Sequence, residues 1–188
     1  VAPQPTGAPS AIEVSLTDTE FANADAQGKL GTALWRTGPG TGSGRGARFP
    51  GQLDLAGQLT RGNVAAVARY LPLGVSEPAR RYVEHAVTAG RVVSASFRVR
   101  GDLGDFPFVV QPPAAGARPA TAPTGEFRIV GRVQDAQLAY VPARGDVPSP
   151  WPAFSAVSAE LVFDRTSLEI RDAQARLWGL DLSKVNGS

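Results

Sequence analysis

The 188 residues carry 19 Lys+Arg against 17 Asp+Glu, a formal charge of +2, with 43% hydrophobic residues and 21 Gly beside 16 Pro. That length is a prior for one domain. With scattered arginines and only two lysines (Lys29 and Lys184), so small a surplus excludes a polybasic nucleic-acid footprint. The absence of Cys excludes a disulfide framework, a thiolate metal site and a thiol nucleophile, and no apolar run approaches the ~20 residues that span a bilayer.

Met is absent as well, and the chain opens on Val1, which predicts an excised piece of a longer protein whose targeting segment or anchor lies elsewhere. Residues 1–10 (VAPQPTGAPS) are polar and proline-punctuated, a disordered lead by composition. Period-two alternation then begins: Ile12, Val14 and Leu16 share one strand face. A second strand around Phe21–Gln27 is expected to turn at Gly28-Lys29 into a third, Leu30–Thr37. GPGTGSGRGARFPG, over 38–51, reads as a flexible loop before Leu53, Leu55, Gly57 and Leu59 resume the alternation.

The helical period appears once. Asn63 is placed to cap a short helix carrying Val64, Val67 and Ala68, which ends near Tyr70. Ser76 is placed to cap a second, in which Ala79, Tyr82, Val83, Ala86 and Val87 make one apolar stripe and Gly90 supplies the stop. Two amphipathic helices this short must pack on the sheet.

Strands return with Val93, Ala95, Phe97, Val99 and Leu103. Residues 111–125, with four prolines and no apolar period, read as a disordered hairpin tip. Phe127, Ile129 and Val133 follow, then Leu138 and Tyr140. After a proline-rich turn come Leu161 and Phe163, Leu168 and Ile170, Ala173 to Leu177, and Leu180 with Leu182, leaving 186–188 as a tail. Trp35 and Trp178 fall in strands, and Trp151 lies between prolines.

One pattern recurs: Leu53-x-Leu55-x-Gly57-x-Leu59, Phe97-x-Val99-x-Gly101-x-Leu103 and Phe127-x-Ile129-x-Gly131-x-Val133. A glycine lets a strand bend, so a bend at the same point in successive strands curls a sheet into a trough. The other reading is a sheet packed on its helix pair, with glycine where a helix comes close.

Catalytic chemistry finds little purchase. His85, the single histidine, falls on the polar side of the second helix with Arg81 and Glu84, and a solvated role accounts for it. Asp102, Asp105, Asp135, Asp164 and Asp172 stand at expected strand ends beside Gly, Ser or Ala, which is turn chemistry. No lysine follows the glycines of 38–46, so the phosphate-loop pattern is missing. Asn186-Gly187-Ser188 matches a glycosylation acceptor, a weak signal at three residues. No cofactor or metal is expected.

Several segments in order resemble the YhdP family of AsmA-like, TamB-related proteins. They are RYLP followed by a short helix, the RGDLGDFPF turn, the GEFRI strand, and the WP…ELVFDR…LEI…A…G hairpin, with VSLTDTEFANADAQGKLGTALWRTGPG upstream. The resemblance covers roughly residues 11–185. It implies a mainly β fold (β-rich α+β): a curled antiparallel sheet forming a trough or groove, with a two-helix insertion at about 63–89. It further implies a periplasmic body, anchored in the inner membrane of a Gram-negative cell by a helix outside this chain, that carries phospholipid toward the outer membrane. No catalytic residue is carried over, so no enzyme is expected.

The groove side chains expected on this reading are Leu53, Leu55, Leu59, Phe97, Val99, Leu103, Phe127, Ile129, Val133, Leu161, Phe163, Leu168 and Ile170. Phospholipid acyl chains and neighbouring segments of the same full-length chain are the expected partners, nucleic acid is not, and a periplasmic protein partner is possible. The alternative is a structural or protein-binding module with a closed β core, docking a partner through Arg80, Arg81 and Arg91 or through an exposed edge strand.

Overall fold

A computed structural model describes residues 10–71, 75–109, 124–143 and 145–188. Eight strands form one antiparallel sheet: β1 (Glu13–Ala22), β2 (Ala26–Arg36), β3 (Gln52–Asn63), β4 (Val87–Asp102), β5 (Glu126–Leu138), β6 (Phe154–Asp164), β7 (Ser167–Leu177) and β8 (Leu180–Gly187). Their spatial order is their order in the chain, so each strand pairs only with its neighbours in sequence and the sheet does not close into a barrel. The fold is mainly β, as expected. Most of the lead at 1–10 and of the loop at 111–125 lies outside the described residues.

The first hairpin is not where the glycine suggested. Asn23, not Gly28-Lys29, makes the turn: its Oδ1 accepts from the Asp25 and Ala26 N–H groups. β2 therefore runs straight through Gly28, whose direct partner on β1 is Phe21. A Cβ at Gly28 would collide with the Gln58 carbonyl oxygen and the Phe21 ring. Gly28→Ala is expected to destabilise the chain by about 1–3 kcal/mol through overpacking. Gly31→Ala, whose Cβ would find nothing nearer than the Ala56 carbonyl oxygen at 4.0 Å, should stay within about 0.5 kcal/mol. Chemical denaturation of the two variants checks the contrast.

The helical insertion divides into a 3₁₀ helix, Val64–Tyr70, and α1, Glu77–Ala86. Asn63 caps the first by accepting from the Ala65 N–H, whereas Ser76 makes no side-chain cap. The 3₁₀ helix packs against β4, and α1 packs on the 3₁₀ helix. Arg80 donates to the Ala68 and Leu71 carbonyls and holds the two helices together. Gly90 does not stop α1, which ends at Ala86. It lies inside β4 at a φ of +125°.

That glycine belongs to a line of β-bulges across the sheet. Register shifts fall beside Gly90 in β4, Asp135 in β5, Ala156 in β6, Asp172 in β7 and Lys184 in β8, all with positive φ. Bulges bend strands and strengthen their twist. Asp135 and Asp172 are therefore bulge residues inside strands rather than turn residues at strand ends, and a further register shift falls opposite Gly57, between Leu30 and Thr32.

At the far ends of the same strands the 38–51 segment and a strap over Leu103–Val109 interlock. Asp102 accepts from the Gly46 N–H at 2.7 Å and the Gly104 N–H at 2.9 Å, Arg45 pairs with Asp105, and the Leu103 N–H donates to the Gly51 carbonyl. Phe108, 1% exposed, lies over Gly101 and Gly125. Among the described residues the remaining buried hydrophobics are Val133, Val162 and six alanines, so no closed core of large side chains forms.

Candidate functional site: the apolar face of the sheet

Antiparallel register puts direct cross-strand partners on one face. One row across the sheet is Leu30, Gly57, Phe97, Ile129, Phe163 and Leu168, and the next is Phe21, Gly28, Leu59, Ala95, Gly131, Leu161 and Ile170. Leu16, Ala33, Leu55, Val99 and Phe127 make a third, and Val14, Trp35, Leu53 and Gly101 a fourth. Val133, two residues beyond Gly131, completes the set. Twelve of the thirteen nominated side chains thus share a face that runs from β3 to β7. Leu103 does not; it stands past the end of β4, in the 3₁₀ turn Leu103–Asp105.

Among the described residues no second layer spans this face; the Phe106–Phe108 strap covers only its end at Gly101 and Phe127. Of the twelve, Val133 is buried, Leu168 is 39% exposed and the others are half-buried by contact with one another, while Val14 and Leu16 at its β1 margin are 50% and 44% exposed. The glycines do a different job from the one the repeat suggested. A Cβ at Gly57 would meet the Phe97 ring at 2.5 Å, so the glycine makes room for an aromatic ring to lie flat across the strand. Gly57, Gly101 and Gly131 are not in one row, because their cross-strand partners are Phe97, Leu53 and Ala95.

The opposite face is charged, and the apolar pattern did not single it out. Asp54 lies 2.7 Å from Arg98 and 3.6 Å from Arg100; Arg128 pairs with Asp164 at 3.0 Å, and Glu160 takes both Arg132 and Arg171. The signal was present in the other half of the same alternation, where an arginine or a carboxylate follows seven of the thirteen nominated residues. A depression of about 450 Å³ opens on this face, where Lys29, Arg98 and Arg128 stand around the short side chains of Ala56 and Ser96. It is a gap between long side chains, not part of the apolar surface.

Within the ladder, Arg171 holds the Glu169 carboxyl below the usual carboxylate range through its hydrogen bond, at 2.7 Å, with burial opposing. The same contact raises the Arg171 guanidinium above its ordinary value. A depressed carboxylate stabilises the fold at neutral pH and loses that contribution as pH falls through its lowered value. Native protein should therefore lose slightly more thermal stability than Glu169→Gln between neutral pH and about pH 3, a small difference because the pair is solvent-screened.

The remaining polar candidates have ordinary surroundings: His85 is exposed with Nδ1 at 2.7 Å from the Arg81 carbonyl, and Arg81 and Arg91 pair with Glu77 and Asp135. Trp178 is in the turn between β7 and β8 rather than in a strand, and is 75% exposed. No helix of the described residues is long and apolar enough to cross a membrane.

An open antiparallel meander with one uncovered apolar face and one ion-paired face is an amphipathic sheet protein that lacks a closed core. The YhdP protein family model matches residues 7–188, and the chain belongs to that family. No curated protein and no solved structure matches it.

Proposed function

We propose that the chain carries phospholipid between the inner and outer membranes of a Gram-negative envelope, as a periplasmic part of a bridge-like protein. The acyl chains lie on the apolar face of the sheet. The observation that carries this reading is that face itself: rows of Leu, Ile, Val and Phe that, among the described residues, are covered only at the strap end. Burial contributes roughly 0.8 kcal/mol per CH₂, so about ten methylenes gain roughly 8 kcal/mol before the cost of association. Membership in the YhdP family supports the same reading. Transport of this kind asks no bond-making of the chain.

The edges β1 and β8 each have one hydrogen-bonded neighbour, which supports adjacent segments of the same long chain as partners there. A docked periplasmic protein is the second reading for those edges. Organic extraction and mass spectrometry of protein purified from an envelope fraction test the proposal. Co-purifying glycerophospholipid is expected. Folded protein that carries none, and takes none from vesicles, overturns it.

A further inference from the structure

All three tyrosines and two of the three tryptophans sit at one rim of the sheet. Tyr70 ends the 3₁₀ helix, Tyr82 is in α1, Tyr140 follows β5, Trp151 precedes β6 and Trp178 lies in the β7–β8 turn. In an up-and-down meander all these connections leave from the same strand ends. All five are exposed, four of them among the most exposed large apolar residues described: Trp178 75%, Tyr140 65%, Trp151 59% and Tyr70 54%, with Tyr82 at 43%.

The opposite rim is closed by the strap and the 38–51 segment. There Phe106 meets Phe127 of the apolar face edge-on, with ring centroids 5.1 Å apart, and Phe108 is buried beside it. The apolar face is therefore polarised along the strands. One end is sealed by phenylalanines. The other is fringed by side chains with an apolar body and a polar tip, the chemistry favoured where hydrocarbon gives way to water. The twelve residues of β4 between the bulge line and the strap, 91–102, span roughly 40 Å at about 3.3 Å per residue. One leaflet's hydrocarbon occupies only about half of a ~30 Å bilayer core.

Resting on the phospholipid reading above, we infer that a bound phospholipid lies along the strands, its tails toward the Phe106–Phe108 strap and its headgroup at the tyrosine–tryptophan rim. The natural tryptophans measure this directly. Trp151→Phe/Trp178→Phe leaves Trp35, which sits at the strap half of β2 with its Nε1–H donating to the Pro50 carbonyl. Trp35→Phe leaves the rim pair.

Each variant is loaded with phosphatidylcholine bearing a nitroxide either on the headgroup or near the chain end, and vesicles are removed by gel filtration. The headgroup label should extinguish most of the rim emission and spare Trp35, and the chain-end label should do the reverse. If Trp35→Phe does not fold, the rim signal is the difference between native protein and the double variant, which alters only exposed side chains. Equal action of both labels, or a headgroup label that extinguishes Trp35, overturns the orientation while leaving lipid binding intact. Rim quenching seen only while vesicles are present assigns the rim to a bilayer surface and also overturns it. No lipid retained by any variant or by native protein overturns the phospholipid reading itself, and the orientation with it.

Discussion

A Val99→Asp chain is expected to remain folded and to lose its phospholipid. Val99 lies directly between Leu55 and Phe127 in the third apolar row, half-buried, on a face that no second layer spans among the described residues. A carboxylate buried without a partner in a closed core costs several kcal/mol and commonly unfolds a domain. On an uncovered sheet face the same carboxylate reaches water whenever lipid is absent, and the cost falls toward about 1 kcal/mol. Acyl chains cannot lie across it without desolvating the charge. Capture of lipid should therefore fall at least about tenfold, which corresponds to about 1.4 kcal/mol. Thermal unfolding beside a lipid-transfer assay reads both quantities. A folded variant that captures lipid normally removes Val99 from the path, and an unfolded one shows that the face is covered in solution.

Phe108→Ala is expected to be the most destabilising truncation in the chain, at about 3–5 kcal/mol. Phe108 is the largest fully buried side chain among the described residues, and it holds a φ of +64° that a bulky residue seldom adopts. Its ring rests on Gly101, at a φ of +139°, and on Gly125, so the strap, β4 and the start of β5 share one contact. Half-buried Phe106 should cost less on truncation to Ala. Urea midpoints of the two variants check the order. A loss at Phe108 below about 1 kcal/mol would mean that the strap unfolds independently of the sheet.

The face was legible because period-two alternation is a local property. Leu53, Leu55 and Leu59 announce their side of β3 without reference to any other strand, and the same holds for Phe97, Val99, Phe127 and Ile129. The places where expectation and structure differ depend on what lies across a strand gap or on chemistry that a residue type only permits. Gly28 reads as a turn until Phe21 is seen opposite it, and Gly90 reads as a helix stop until Ala136 is found against it. The bulges are the clearest case. Asp is tolerated at positive φ both in turns and in bulges, so Asp135 and Asp172 carry the same local signal as Asp102, and only the pairing of β5 and β7 with their neighbours tells the two apart. Leu103 continues the alternation of β4 by count, but the Asp102 side chain caps the Gly104 N–H and ends the strand one residue earlier.

The strict sequence order of the sheet bears on how such a chain is made. No strand waits for a distant partner: β2 closes on β1 across a three-residue turn, and the two longest connections, 64–86 between β3 and β4 and 103–125 between β4 and β5, are 23 residues each. Loop closure is least costly when partners are near in sequence, and local topology folds fastest. A chain delivered from its N-terminus can therefore add one strand at a time to a growing edge, each new hairpin templated by the last. Because each strand contacts only its neighbours, stability accumulates by nearest-neighbour increments, as in a repeat array. Loss of the last strands should leave a shorter sheet standing, and a sheet of this kind can lengthen over evolutionary time by whole hairpins without redesign of those already present.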